Sequence, residues 1–487
     1  MAIIKNFFRR PKNQSQFFPK LSDEMLTYWK QILYFEGFIP ANVVENSTVK
    51  DLLCIIEKAT YSKKNQAKHH LKLAMKIFFI CTFCFIPKKM QTNTDLSLIY
   101  HLSDNQIFNS GSTLELQKFI RGRQIGLAID DIIYVERPRI FPNKCNHDGI
   151  KVVSDIDLYL FADFLRIRDR FIILLAVFVR FLMYARTVSR VPLFSLIAVP
   201  FVIEEVIFSF VSKNEIIRIN NVVTTPSAIM NREYIFQIDG DFGTRIMIWY
   251  SANSIPINYR DPKLKRALVD KNLYNFMPID QHFVWTEDHK NFLEPLFDKN
   301  VNVKVCGSLM FYQPQKKYNS NKIHDLMIFD VTPYNDLQIH YNDTFPGSLN
   351  SIYNFVYSKG FLEDILWVRE QIFLSSKVLL KISLKPKRDF TSAHSVAYIN
   401  YVKSLSNNKL LNIMSPNVDI FEVISQSKIC ISFPFTSPAI IATELGVPSI
   451  YYLENDIMSS YNKIHGVPFV EKKEMLLKFV EESILGK

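Results

Sequence analysis

The sequence lacks several features that would each point to a particular class of protein. Six cysteines are present, and the closely spaced pair Cys81 and Cys84 lies in an apolar run without a second pair of metal ligands. A structural zinc site usually has four protein ligands, so this pair does not indicate one. No cysteine pattern indicates a disulfide framework, which fits a reducing compartment. The first residues lack an apolar core followed by a small-residue cleavage site, so we expect no signal peptide.

No apolar run reaches the roughly twenty residues that a membrane-spanning helix needs. The two longest runs are Phe171 to Ala185, which contains Arg180, and Leu193 to Phe210, which Pro200 interrupts. We interpret both as buried core helices. A helix lying on a membrane surface is the alternative for the first run, because basic residues flank it.

The charge is positive but scattered. Lysine and arginine number 58 against 47 acidic residues, a formal net charge of +11, which suits a polyanion, an anionic membrane surface or a phosphorylated substrate. The sequence has no long basic run and no recognisable DNA-reading motif. We therefore expect no nucleic-acid partner.

The chain is too long for one typical domain, and the pattern of apolar and polar residues changes along its length. We predict a helical extension over residues 1–104, an α/β unit over 105–313 with inserted apolar helices at about 160–210, and a second α/β unit over 323–487, with the linker Pro314–Lys322 between them. In both units short apolar strands end in polar residues and several lead into helices, the pattern of a parallel sheet. Ligand-binding groups then lie just past the carboxyl ends of the strands.

One such strand end carries two adjacent hydroxyl residues. In SFPFTSPAIIATELGVPSIYYLE, an apolar strand runs through Pro434 into Thr436 and Ser437, and a helix follows up to Gly446. Backbone N–H groups at a helix start bind anions, and the two hydroxyls could add hydrogen bonds to a phosphate. Glu444, two turns later, could contact the ribose of the same nucleotide. An ordinary helix cap is the alternative for the hydroxyl pair.

A basic cluster ends the preceding strand of the same unit. Lys385, Lys387 and Arg388 lie in the segment LKPKR, and we expect them at the same sheet edge as the hydroxyl pair. Cations there could neutralise a departing phosphate without a metal ion. A solvated run of charges in a loop is the alternative.

The segment SFPFTSPAIIATELGVPSIYY resembles the signature of the bacterial polysaccharide-biosynthesis PFTS-motif proteins, with Pro434, Phe435, Thr436 and Ser437 at the motif itself. The resemblance implies a GT-B-like fold, in which two Rossmann-like domains face a cleft. The C-terminal domain would hold the nucleotide sugar and the N-terminal domain the acceptor. Sialyltransferases of this fold have a histidine before a proline where this chain has Lys385, so a CMP-linked sugar is one candidate donor among others.

The resemblance also implies a general base in the N-terminal domain. Asp239 and Asp241, in FQIDGDFGT, loosely match the acidic motif that supplies the base in the sialyltransferases. Aspartates that stabilise a glycine turn are the alternative explanation. Glu136, Glu287 and Asp288 follow other strands and are weaker candidates.

Polar and aromatic side chains of the kind that hold sugars follow another strand, at Tyr250, Ser251 and Asn253. We assign them to the acceptor side. No DxD-like acidic pair follows a suitable strand, so we expect no obligatory metal ion and no cofactor, with the nucleotide sugar as substrate.

Together these features predict a metal-independent glycosyltransferase of bacterial surface polysaccharide synthesis, acting on O-antigen, lipopolysaccharide or capsule. The acceptor would be a lipid-linked oligosaccharide, and the protein would lie in the cytoplasm, peripherally attached to the inner face of the cytoplasmic membrane. Two alternatives stay open: a nucleotide-sugar epimerase of GT-B type, which needs no acceptor, and a non-catalytic scaffold in a membrane biosynthetic complex.

Overall fold

The computed structural model of the protein describes residues 95–100, 132–136, 151–154, 165–188, 206, 210, 218–224, 243–249, 260, 279–297, 301–307, 321–334, 352–390, 394–455, 458 and 462–486.

The first of two sheets has seven strands in the order β3-β2-β1-β4-β5-β6-β7. Their bounds are β1 Asp95–Tyr100, β2 Ile132–Glu136, β3 Lys151–Ser154, β4 Arg218–Thr224, β5 Thr244–Ile248, β6 Gln281–Val284 and β7 Asn302–Val305. The pairs among β1 to β5 are parallel. The order 3-2-1-4-5-6 is that of a Rossmann fold.

The second sheet repeats this order. It runs β10-β9-β8-β11-β12-β14-β13, with bounds β8 His324–Phe329, β9 Ile382–Lys385, β10 Asn412–Ile413, β11 Ser427–Ser432, β12 Ser449–Tyr452, β13 Lys463–Ile464 and β14 Val467–Val470. Every pair is parallel except β13 with β14. The predicted GT-B-like fold class is therefore confirmed in its two Rossmann-like sheets.

The described helices are α1 Ile167–Val188, α2 Glu287–Leu293, α3 Phe355–Ser376, α4 Val396–Asn407, α5 Ile420–Ser425, α6 Ser437–Glu444 and α7 Lys473–Leu485, with a short 3-10 turn at Glu294–Leu296 after α2. Side-chain caps explain where several begin. The Asn354 side chain accepts from the N–H of Tyr357 at the start of α3, and Asp419 accepts from two N–H groups at the start of α5.

The core of the second sheet is almost entirely apolar. Ile328 in β8 and Ile431 in β11 are fully buried, as expected for central parallel strands covered on both faces. Phe361 of α3 packs edge-on against Phe433, just past β11, with 5.4 Å between ring centroids. Helix α3 also packs against α4 and α7. This packing fixes where the loops after β8, β9 and β11 lie.

The boundaries differ in two ways from those that the sequence predicted. Strand β1 lies within the predicted helical extension 1–104 and forms the middle of the first sheet, so the first α/β unit begins before residue 105. By its contacts the chain divides into two compact units, of which the second takes in 118–125, 248–270 and 282–487. The second unit thus starts earlier in sequence than the predicted linker.

Helix α1 corresponds to the first apolar run, and it is only half buried. One face is buried, including Ile173 and Val177. The other face exposes four large apolar side chains, at Ile167, Phe171, Leu175 and Phe178. The interpretation as a fully buried core helix is therefore wrong for this run. Among the residues described, no helix is long and apolar enough to cross a membrane.

Candidate functional site at the carboxyl edge of the second sheet

The second sheet reverses its strand order between β8 and β11, and ligands of open α/β sheets bind at such a switch point, beyond the carboxyl ends of the strands. Three loops follow the adjacent strands β9, β8 and β11 at this edge. We call them together the switch-point edge, which comprises residues 330–334, 385–390 and 432–437.

The PFTS turn is held by hydrogen bonds inside the protein. Phe435 is buried and adopts a left-handed backbone conformation, with φ of 63°, which is costly for a bulky residue. The hydroxyl of Thr436 donates to the carbonyl of Phe433 at 2.7 Å, and the hydroxyl of Tyr451 donates to the carbonyl of Thr436 at 2.7 Å. These two bonds stabilise a strained turn that presents the start of α6.

Thr436 fits neither role that the sequence suggested for it. It occupies the position before α6, but its side chain makes no capping hydrogen bond. Its only hydroxyl proton goes to Phe433, so it has none to donate to a phosphate oxygen. Ser437 is the first residue of the helix and is only partly buried, and Pro438 follows it without an N–H group. The donors at this helix start are therefore the Ser437 hydroxyl and the backbone N–H groups of the first turn.

The three basic residues of the next loop have different environments. Lys385 is buried, and its amine donates to the carbonyl of Pro416 at 2.7 Å. Burial lowers the pKa of Lys385, against the opposing charges of Asp330 and Asp419. An ammonium group has three N–H donors, so this bond does not exclude a ligand, and a phosphate-binding role of Lys385 stays a prediction.

Lys387 and Arg388 are exposed at the same edge. The Lys387 amine lies 5.8 Å from the centre of the Tyr353 ring. Burial of the amine, followed by the charge of Arg388, lowers the pKa of Lys387 to about 8, while the charge of Asp330 acts in the opposite direction. The rest of the side chain contacts solvent. The amine still carries its charge at neutral pH, so this loop offers two cations.

Asp330, directly after β8, was not predicted from the sequence. Its buried carboxylate accepts hydrogen bonds from the Tyr398 hydroxyl at 2.6 Å and from the backbone N–H of Lys387 at 2.9 Å. Burial raises its pKa to about 6, although the Tyr398 hydroxyl, the Lys387 N–H and the nearby lysine charges favour the ionised form. Asp330 thereby connects the loops after β8 and β9 with helix α4. The signal in the sequence was an aspartate directly after the apolar run LMIF that ends β8, in LMIFDVTP.

Two hydroxyls at this edge are buried without a partner among the described residues. They are the side chains of Thr332, after β8, and Ser432, at the end of β11. A buried hydroxyl that makes no hydrogen bond costs about 1–3 kcal/mol. The edge therefore has two sites where a small change should alter stability.

Glu444 lies away from the switch-point edge. It is exposed at the last position of α6, seven residues after Ser437, which places it roughly 10 Å along the helix axis. Glu444 therefore does not lie beside the Ser437 hydroxyl, and its contact with the ribose of a bound nucleotide stays a prediction.

A separate cavity of about 410 Å³ lies within the second compact unit. It is lined by Thr286, Glu287 and Asp288 at the start of α2, and by Lys463, His465 and Gly466 around the turn between β13 and β14. The Thr286 hydroxyl lies 2.6 Å from Nδ1 of His465, and Asp288 accepts a hydrogen bond from the N–H of His465. Two of the weaker base candidates, Glu287 and Asp288, therefore border one cavity.

His289, next to this cavity, is fully buried, and neither ring nitrogen has a partner among the described residues. Its ring meets Trp249 edge-on at 4.9 Å. Burial, followed by the charges of His465 and His282, lowers the pKa of His289 to about 3. His289 is therefore neutral at physiological pH.

Several predicted site residues lie outside the described residues, so their positions are not given: Asp239, Asp241, Tyr250, Ser251 and Asn253. Glu136 ends β2, but its side chain is likewise outside the description. Within the described ranges, no group of three or more histidine, cysteine, aspartate or glutamate side chains could hold a metal ion.

Comparisons with known proteins place more than half of the chain in one family. Residues 191–480 match the profile described as "Polysaccharide biosynthesis PFTS motif protein". No curated protein matches the chain at a significant level.

Similar solved structures include the glycosylation-associated protein complex Gap123 from Streptococcus agalactiae, with a TM-score of 0.33 and 13% identity. The match covers 57% of this chain and 51% of that one, so this chain spans about half the length of that protein. The wall teichoic acid polymerase TagF has a TM-score of 0.41 and 10% identity, covering 87% of this chain and 88% of that one. The lipopolysaccharide outer core galactosyltransferase WaaB has a TM-score of 0.39 and 10% identity, covering 80% and 90%.

Proposed function

The chain belongs to the polysaccharide biosynthesis PFTS motif protein family, and on that premise we propose that it is a glycosyltransferase that uses a nucleotide-sugar donor bound at the switch-point edge. The observation that carries the proposal is the placement of two exposed cations, Lys387 and Arg388, after β9 and of the Ser437 helix start after β11, the two strands that flank β8 in one Rossmann-like sheet. Parallel strands bring such groups to the same edge of a sheet.

The chemistry of these groups suits a phosphate that must be bound and then released. The Ser437 hydroxyl and the first-turn N–H groups of α6 donate hydrogen bonds to phosphate oxygens, and the positive end of the helix dipole adds to them. In the reaction an acceptor hydroxyl oxygen bonds to the anomeric carbon, whose bond to the phosphate oxygen breaks. Lys387 and Arg388 stabilise the negative charge that then develops on the nucleotide phosphate. These cations make the proposed reaction independent of a metal ion, and a CMP-linked sugar is one candidate donor.

The acceptor hydroxyl must also lose its proton to a base. Asp239 and Asp241 remain the proposed bases on the strength of their motif, with Tyr250, Ser251 and Asn253 on the acceptor side. Glu287, which borders the 410 Å³ cavity, is the alternative base for which the structure gives a setting.

A lipid-linked oligosaccharide is the proposed acceptor, in the assembly of a bacterial surface polysaccharide such as O-antigen or capsule. The exposed apolar face of α1, with exposed arginines just before it (Arg166) and in its first turn (Arg168), supports peripheral contact with an anionic membrane. We place the protein accordingly on the inner face of the cytoplasmic membrane.

Calorimetric titration with a panel of nucleoside monophosphates, nucleoside diphosphates and nucleotide sugars tests the donor site. The best ligand should lose about tenfold or more in affinity in Ser437→Ala and in the double variant Lys387→Ala/Arg388→Ala, because a hydrogen bond to a charged group is worth about 1.5–3 kcal/mol. Glu370→Gln, at an exposed residue toward the end of α3, is the control and should bind as the unchanged protein does. Equal affinity in all variants would refute the assignment.

Product analysis with donor alone separates the alternatives that the sequence left open. Turnover of a nucleotide sugar without acceptor would indicate the epimerase. Failure of every nucleotide in the panel to bind, or to raise the melting temperature, would favour the non-catalytic scaffold, since a ligand that binds the native state stabilises it.

A further inference from the structure

The edge of the second sheet opposite the switch point carries a cluster of exposed apolar side chains. Strands β8, β9 and β10 begin there, and α3 ends there. Six large apolar residues at this edge are 37% to 59% exposed: Ile323, Phe373, Leu374, Val378, Leu379 and Leu410. We call these six residues the amino-edge patch.

The strand register shows that these residues adjoin one another. Leu326 pairs in parallel with Ile382, so Ile323 and Leu379, each three residues earlier, lie side by side. Asn412 pairs with Ser383, which places Leu410 level with Lys381, and the carbonyl of Leu410 accepts a hydrogen bond from Arg369 of α3 at 3.0 Å.

The end of α3 brings the remaining members to the same edge. The helix stops at Lys377, which adopts a left-handed conformation with φ of 60°. The chain then turns directly into the approach to β9, so Phe373 and Leu374 of the last turn stand next to Val378. The patch therefore lies at the starts of three strands and at one helix end.

Lysines surround the patch. Five exposed lysines lie at the strand starts and turns of this edge: Lys322, Lys377, Lys381, Lys409 and Lys428. Among acidic groups nearby, Asp325 lies 2.8 Å from the Lys428 amine and accepts from the N–H of Lys381, so it offsets the charge of one of these lysines. Glu370 lies about one turn earlier on α3, and the Glu422 side chain accepts from Gln426. The edge is thus positively charged around an apolar centre.

We propose that the amino-edge patch docks on an anionic lipid surface. A surface that binds such a membrane places apolar side chains at the boundary between headgroups and acyl chains, and its lysines reach the lipid phosphate groups. The amino-edge patch and the lysines around it have this composition. A protein interface would instead be enriched in aromatic residues and arginine and depleted of lysine, whereas this patch has one aromatic residue and five lysines. A second copy docked on the same patch would place lysines opposite lysines.

Sedimentation of the full chain with vesicles of phosphatidylglycerol and phosphatidylcholine tests the proposal. The unchanged protein should bind these vesicles, more weakly at high salt, and should not bind vesicles of phosphatidylcholine alone. The triple variant Ile323→Ser/Leu374→Ser/Leu379→Ser should bind about tenfold more weakly or worse, because it loses most of the apolar surface. The charge variant Lys377→Glu/Lys381→Glu should lose the salt-dependent part.

The matched control is Val356→Ser/Val396→Ser, which removes two apolar side chains that are more exposed than those of the patch, at 72% and 69%, from the first turns of α3 and α4. This control should bind vesicles as the unchanged protein does, and circular dichroism establishes that every variant is folded. A further variant, Phe171→Ser/Phe178→Ser, isolates the contribution of α1.

Three results would overturn the proposal: unchanged vesicle binding in the triple variant, no binding of the unchanged protein to anionic vesicles at low salt, or self-association of the protein that the triple variant abolishes. The inference rests on the proposed membrane contact but not on sugar transfer. Because the vesicle measurement uses no nucleotide, its failure is distinguishable from failure of the donor site.

Discussion

The buried carboxylate of Asp330 makes a prediction about how stability depends on pH. Its pKa of about 6 in the folded protein stands against an ordinary value of 3.8. Since a tenfold change in an equilibrium is 1.36 kcal/mol, ionising Asp330 costs about 3 kcal/mol more in the folded state than in the unfolded state. The contribution of Asp330 to the free energy of unfolding is therefore fully present at pH values below its pKa in the unfolded state. This contribution is lost as the pH rises through its pKa in the folded state.

Replacing Asp330 by asparagine removes this titration and keeps the shape of the side chain. The asparagine oxygen can accept from the N–H of Lys387, and its amide can donate to the Tyr398 oxygen. The free energy of unfolding of Asp330→Asn, relative to that of the unchanged protein, should therefore rise by about 2 kcal/mol between about pH 4 and about pH 7.5. Urea denaturation followed by circular dichroism at several pH values measures this difference.

Asp325 provides a control with the opposite sign. Burial raises its pKa, but the N–H of Lys381 and the charge of Lys428 outweigh burial and lower the pKa overall. Its stabilising contribution is therefore present above the ordinary value of 3.8 and is lost only as the pH falls below it, so the penalty of Asp325→Asn should stay constant over the same range. A difference between Asp330→Asn and the unchanged protein that does not vary with pH would refute the assigned environment of Asp330.

Four further substitutions test the local structure by urea denaturation. Ser432→Ala should leave the free energy of unfolding unchanged or raise it, because the hydroxyl is buried without a partner among the described residues. The control Ser449→Ala removes a hydroxyl that donates to a carbonyl at 2.9 Å and should lower the free energy of unfolding by about 1 kcal/mol. A loss of that size in Ser432→Ala would contradict the prediction. Gly243→Ala should destabilise by more than about 3 kcal/mol, because a Cβ would lie 2.3 Å from the carbonyl oxygen of Ile219 at a positive φ. Gly446→Ala, with φ of 69° and open space around it, should cost only about 1 kcal/mol; equal effects of the two glycine substitutions would contradict these environments.

The two Rossmann-like sheets were predictable because local patterns encode them. Apolar strands that end in polar residues and lead into helices recur along the chain. The runs LMIF in β8 and ICIS in β11 are recognisable as strands from their own residues, without knowledge of the strands they pair with. Strand β1 was missed for the opposite reason. Its sequence DLSLIY becomes a central strand only through pairing with β2 and β4, residues more than thirty positions away, and tertiary pairing outweighs local preference.

The candidate site was predictable in its location but not in the role of each side chain. Thr436 and Ser437 follow β11 and the basic loop follows β9, and both lie at the carboxyl edge of one sheet on either side of β8. Whether a hydroxyl or an amine faces a ligand depends on partners elsewhere in the chain. The Lys385 amine donates to the carbonyl of Pro416, and Asp330 is bonded to Tyr398, neither of which spacing along the sequence can reveal.

Hydrogen exchange with and without the best-binding nucleotide sugar is the most direct test of the central claim, because it locates the site without any substitution. The account predicts slower exchange of backbone N–H groups at 385–390 and at 436–441, where the basic loop and the start of α6 lie. Slower exchange confined to other segments, with these two unchanged, would contradict a donor site at the switch-point edge.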